Sequence, residues 1–207
     1  MTCEQKVKSD TLRHKVAGWP NICCVLTLSL CAVIVGLPNQ PDTAVAQAVR
    51  FQEGQAVGPV TGWPIPRFVS IRPNRANVRV GPGGNYAVSW TFVRSGLPVE
   101  ITAEFGNWRK IRDMDGDEGW IRHDLLAGRR MAVIAPWSDG DPVPARRSAN
   151  ENAGTRYLLE PGVVAQLDGC DGSWCQVSAA EEGQRWRGYI RQNALWGAYP
   201  EEAFDAD

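Results

Sequence analysis

A set of glycines and aromatic residues recurs at a fixed offset along this 207-residue chain. Gly96 matches Gly162, Gly106 matches Gly172, Trp108 matches Trp174 and Ile111 matches Val177, all 66 residues apart. After a three-residue insertion, Gly119-Trp120-Ile121-Arg122 matches Gly188-Tyr189-Ile190-Arg191, and Leu126 matches Leu195. Self-similarity at a fixed period marks a repeated structural unit. The chain therefore reads as two homologous modules, residues 67–130 and 131–197, each close to the lower size at which a domain buries enough surface to be stable.

Within each unit the pattern is that of strands. Short β-branched and aromatic runs alternate with Gly, Asn and Asp, and no long stretch carries helical periodicity. In the first module the expected strands are Phe68–Arg72, Val78–Val80, Pro98–Phe105, Asn107–Arg112 and Glu118–Ile121. Phe105-Gly106-Asn107 suits a tight hairpin turn, and Asp115-Gly116 is a strong turn dipeptide between two strands. Five short strands in a unit of about sixty residues imply a small barrel. The fold class expected is all-β, two small five-stranded barrels in tandem.

The first module carries Asn77-Val78-Arg79-Val80-Gly81-Pro82-Gly83, then Gly96-Leu97-Pro98-Val99, Gly106-Asn107-Trp108 and Gly119-Trp120-Ile121. This order resembles the bacterial SH3 family, and more narrowly its exported members with the form N-x-R-x-G-P-G, G-x-P-V, G-x-W and G-W-[IV]. The second module keeps Gly172-Ser173-Trp174 and Gly188-Tyr189-Ile190. It has Pro144-Ala145-Arg146-Arg147-Ser148-Ala149-Asn150 in place of the glycine-rich run. The resemblance implies SH3-like barrels that bind cell-wall peptides or protein segments, in a family often found beside wall hydrolases. It also implies a ligand shelf lined by aromatics, here Tyr86, Trp90 and Trp108 in the first module, suited to an extended peptide. Trp186 and Trp196 are expected to pack or to join the modules, and Trp120 and Tyr189 to be half packed on their strands.

Upstream of the modules, Lys6, Lys8, Arg13 and Lys15 precede an apolar run from Ile22 to Leu37, followed by Pro38, Pro41 and the small-residue stretch Thr43–Ala48. That is the order of a secretory signal, and the run falls short of the roughly 20 residues that cross a bilayer core. Overlapping A-x-A sites end at Ala46 and Ala48; residues 1–46 are taken as the signal peptide, 47–66 as a flexible linker and 198–207 as a tail. The exported chain, periplasmic or extracellular, would keep no membrane span after cleavage. Losing those four basic residues with Glu4, Asp10 and Asp42 leaves a net charge near −2. There is no basic excess to neutralise a phosphate backbone, so nucleic acid is not an expected partner.

The residue census argues against catalysis. His14 leaves with the signal, so a Cys-His or Ser-His-Asp site would need His123, which sits at the end of a strand near a module boundary. Cys170 and Cys175 span a hairpin turn, and two cysteines remaining in an exported chain are expected to form a disulfide. Asp113, Asp115 and Asp117 alternate, but an EF-hand register starting at Asp113 would place Glu118 where glycine is required. They read as an acidic turn, and Gly81-Pro82-Gly83-Gly84 reads as a loop, lacking the Lys-Ser/Thr and helix of a phosphate cradle. No cofactor or metal is expected. The function expected is non-enzymatic recognition of peptidoglycan or an envelope protein peptide, with a docked structural or protein-interaction role as the alternative and an envelope hydrolase as a third reading.

Overall fold

Alternation of apolar and polar residues over short runs, punctuated by glycine turns, produces strands throughout. The structure, a computed structural model, describes residues 6–8, 56–181 and 184–205. Most of the segment read as an export signal, and residues 47–55 of the linker, lie outside the described residues. The first sheet contains β1 (Lys6–Lys8), β2 (Arg67–Ile71), β3 (Ala76–Arg79), β4 (Val88–Phe92), β5 (Pro98–Phe105), β6 (Trp108–Arg112), β7 (Glu118–Arg122) and β8 (Leu126–Ala127). Its order is β1-β4-β3-β7-β6-β5-β2-β8. The second contains β9 (Met131–Ile134), β10 (Val143–Arg146), β11 (Thr155–Leu159), β12 (Val164–Asp171), β13 (Trp174–Glu181), β14 (Gln184–Arg191), β15 (Leu195–Trp196) and β16 (Ala203–Asp205). Its order is β11-β10-β14-β13-β12-β9-β15, with β16 added beside β12. The five strands expected in the first module are present, and β4 and β8 add to them.

The duplication is visible at the level of single hydrogen bonds. The Gly96 N–H donates to the Ile71 carbonyl at 2.7 Å, and the Gly162 N–H donates to the Ile134 carbonyl at the same distance. Both glycines have positive φ, 78° and 84°, a conformation that costs a residue with a Cβ. Where the sheets fold over themselves, Arg79 pairs with Trp120 and Arg146 with Tyr189. A Cβ on Gly119 would sit 2.5 Å from Val78 Cγ1, and one on Gly188 would sit 2.9 Å from Ala145 Cβ. Each module thus closes on a glycine. A short 3-10 turn follows each closing strand, His123–Leu125 and Gln192–Ala194.

Each barrel has its own core. Ile71, Val78, Val99, Ile111 and Ile121 fill the first, and Ile134, Leu167, Cys175, Val177 and Ile190 fill the second. Cys170 and Cys175 are directly opposed on β12 and β13, with Cα atoms 4.1 Å apart, and form the expected disulfide. The bridge pins one hairpin and does not join the modules.

The modules are joined by packing. Phe68 of β2 is buried against Trp196 edge-on at 5.2 Å and against Tyr199 at 4.7 Å between ring centroids. The Tyr199 hydroxyl donates to Glu100 Oε1 at 2.9 Å, and Arg112 holds the other oxygen of that buried carboxylate. Burial and the neighbouring Glu100 charge push the Tyr199 phenol well above its ordinary range. Trp196 therefore joins the modules, whereas Trp186 packs on Tyr157 inside the second.

Both segments read as linker and tail carry structure. In the lead-in, Val57 bridges Pro64, and the turn between them closes on one carboxylate. Glu104 accepts from the Val60 and Thr61 N–H groups at 3.0 and 2.9 Å, from the Thr61 hydroxyl at 2.7 Å and from Arg67 at 2.7 Å. Residues 56–66 are thus tied to the first barrel through that carboxylate. A carboxylate with a fully buried side chain requires such donors, and a turn rich in Gly and Pro offers its N–H groups. At the other end, β16 extends the second sheet, and Glu202 forms a two-pronged ion pair with Arg130 at 2.8 and 2.9 Å.

Candidate functional site

The turn after β3, the β5–β6 hairpin and the 3-10 turn after β7 meet on one side of the first barrel. Between them lies a groove of about 590 Å³, lined by Arg75, Asn77, Arg79, Gly84, Asn107, Trp108, Arg122 and Leu125. Gly106, with φ of 49°, lets the chain reverse so that Asn107 and Trp108 are presented side by side. Trp108 pairs with Arg122 across β6 and β7, so both side chains lie on one face of the sheet.

The groove is cationic. Three arginines line it and none of its lining residues is acidic. Arg122 is held from its rim by Asp124, through Nε at 3.0 Å and Nη2 at 2.8 Å. Arg79 donates one nitrogen to the Tyr86 carbonyl at 2.5 Å. Among the described residues, neither Arg75 nor Arg79 forms an ion pair with a carboxylate. Asn77 accepts from the Thr91 hydroxyl at 2.8 Å, so its amide nitrogen can still face the groove. Planar guanidinium forks beside an indole suit a carboxylate attached to an apolar stem.

Of the three aromatics expected here, the structure brings only Trp108 into the groove lining. Trp90 is 4% exposed and belongs to the core with Phe92. That corrects the groove expectation for Trp90, because β4 alternates and places residues 90 and 92 on its inner face. Tyr86 is exposed on the loop after β3, its ring laid against Gly81 and Gly83, beside the groove and not among its lining residues. The arginines and asparagines were not anticipated, although Asn77, Arg79 and Arg122 stand inside the quoted motifs. The recurrence of Arg122 as Arg191 was the available signal.

Other residues weighed for chemistry lie elsewhere. His123 is exposed on its 3-10 turn, with its backbone N–H bonded to Asn107. The Asp113 carboxylate accepts from the Asp115 and Asp117 N–H groups at 3.1 and 2.9 Å, the geometry of a capped turn around Gly116.

Two all-β barrels built on one plan, each closed on a glycine and the first bearing a lateral groove, define a tandem of SH3-like modules. The family model for the bacterial SH3 domain matches residues 72–128 and again residues 139–197, and the chain belongs to that family. None of the curated proteins compared matches it.

Proposed function

We propose that this chain is a non-enzymatic binding protein of the cell envelope, exported to the periplasm or the cell exterior, that recognises peptidoglycan peptides through the first-module groove. The observation that carries this reading is the groove itself, a concave site with Trp108 in its lining and an excess of guanidinium over carboxylate. Stem peptides of the wall are short, extended and rich in carboxylates, which is the chemistry such a lining favours. Family membership supports a binding role. An export signal in residues 1–46 and a disulfide between Cys170 and Cys175 suit an oxidising compartment.

The test is co-sedimentation of the purified protein with isolated sacculi, beside a control protein. Binding above the control, weakened by Trp108→Ala with the fold intact, is the expected result. Sedimentation no greater than the control overturns wall binding.

A second reading has its own observation. The Phe68–Trp196–Tyr199 contact and the shared Glu100 favour a docked pair whose partner is an envelope protein segment. A pull-down from envelope extract run beside the sacculi separates the two.

A further inference from the structure

The second module keeps three of the groove residues, two arginines and a tryptophan, and sets a carboxylate between the arginines. Arg146 corresponds to Arg79, Arg191 to Arg122 and Trp174 to Trp108, as their strand pairings require. Arg146 donates to the Ala153 carbonyl at 2.9 Å as Arg79 does to the Tyr86 carbonyl, so the loops after β3 and β10 run in register. Two residues before Ala153, the same register sets Glu151 where the first module has Gly84, a groove-lining residue. The Glu151 carboxylate bridges both arginines. Its Oε2 lies 3.2 Å from Arg146 Nη2, and its Oε1 accepts from Arg191 Nε at 2.6 Å and also meets Arg191 Nη2.

Two further differences follow the same division. Arg191 lies over the Trp174 ring, 4.3 Å from its centroid, and Trp174 is buried. In the first module, Asp124 draws Arg122 away instead, and Trp108 is half-buried. The residue matching Asp124 in the second module is Asn193, which has no charge to compete with Glu151.

We propose that Arg79, Arg122 and Trp108 form a carboxylate-binding site for a peptide ligand, and that Glu151 occupies the equivalent site of the second module as a built-in ligand. The proposal deepens the groove reading above and rests on it for the source of the carboxylate, a wall stem peptide. A guanidinium pair that one carboxylate bridges in the second module is unbridged in the first, where glycine stands in place of glutamate and Asp124 holds Arg122 from the rim alone. The chain therefore binds one carboxylate ligand, in its first module only. An intramolecular carboxylate outcompetes a weak free one through its effective concentration.

The test follows the tryptophan indole N–H signals by NMR while N-acetyl-D-alanyl-D-alanine, or its C-terminal amide, is added. The free acid should shift the Trp108 signal and leave Trp174 unmoved, and the amide should shift neither. Gly84→Glu should abolish the Trp108 response; a Cβ at that position meets nothing within 4 Å. Glu151→Ala should create a response at Trp174, giving two sites where the wild type has one. Backbone amide spectra verify that both variants fold. Equal responses to acid and amide, no response to either, or no Trp174 response in Glu151→Ala overturns the carboxylate site. Sacculi that fail to bind while the free acid shifts Trp108 remove the wall reading and leave the site standing. Sacculi that bind wild type and Gly84→Glu equally leave the wall reading and remove the site.

Discussion

Replacing Glu104 with glutamine should remove a pH-dependent share of the protein's stability. Burial alone would raise this carboxyl's pKa. The Thr61 hydroxyl, Arg67 and the Thr61 and Val60 N–H groups outweigh that and hold it at about 2, against an ordinary value of 4.5. A difference of that size corresponds to about 3 kcal/mol of folding free energy. Because the folded pKa is the lower one, the contribution is complete above 4.5 and is lost as pH falls towards 2. Linkage puts the remaining contribution at about 1.5 kcal/mol at pH 3. Glutamine keeps the shape but carries no charge, and its NH₂ group faces donors where the carboxylate accepted. Urea unfolding of wild type and Glu104→Gln at a series of pH values from 7 to 2.5 gives the difference directly. The gap between the two curves should narrow through the acid range. Curves that stay parallel across it would refute the electrostatic account of the turn at residues 56–66.

Four further outcomes are expected. Phe68→Ala should cost about 3–5 kcal/mol, the range for a buried aromatic, and separate the unfolding of the two modules in calorimetry. Tyr199→Phe removes one partner of the buried Glu100 and should lower stability by about 1–3 kcal/mol without changing groove binding, as read by denaturation and sacculus co-sedimentation in parallel. Changing Cys170 and Cys175 together to alanine should cost less than the ~3 kcal/mol of a 15-residue loop, and a larger loss of melting stability would contradict a purely local role. Gly58→Ala should loosen the lead-in turn, since its Cβ would fall 2.4 Å from the Glu104 carboxylate; faster amide exchange at Val60 and Thr61 would report it.

The repeat, the strands and the disulfide were legible in the sequence because each follows from local spacing. Gly96 and Gly162 share a backbone conformation that glycine favours, and Cys170 and Cys175 flank a single turn. β4 was legible by the same rule, since Val88-Ser89-Trp90-Thr91-Phe92 alternates apolar and polar residues, and that alternation puts Trp90 on the inner face and not in the groove. The groove was read from aromatics, whereas its lining is mostly Arg and Asn. Charged residues on strand ends look like solvated faces until the fold brings three separate segments together. Glu104 was unreadable for a related reason: its partners Val60 and Thr61 contribute backbone N–H groups, which leave no trace in residue identity.

The contact of Tyr199 and Trp196 with Phe68 also bears on how this chain can be divided. The family match ends at residue 197, and a cut at that point would look safe from the repeat alone. It would take away Tyr199, Glu202 and β16 together, uncovering Phe68 in one barrel, leaving Glu100 one hydrogen bond short and stripping Arg130 of its carboxylate in the other. Residues 199–205 act as a clasp between the modules, so the contacts that hold the pair together reach past the end of the second repeat.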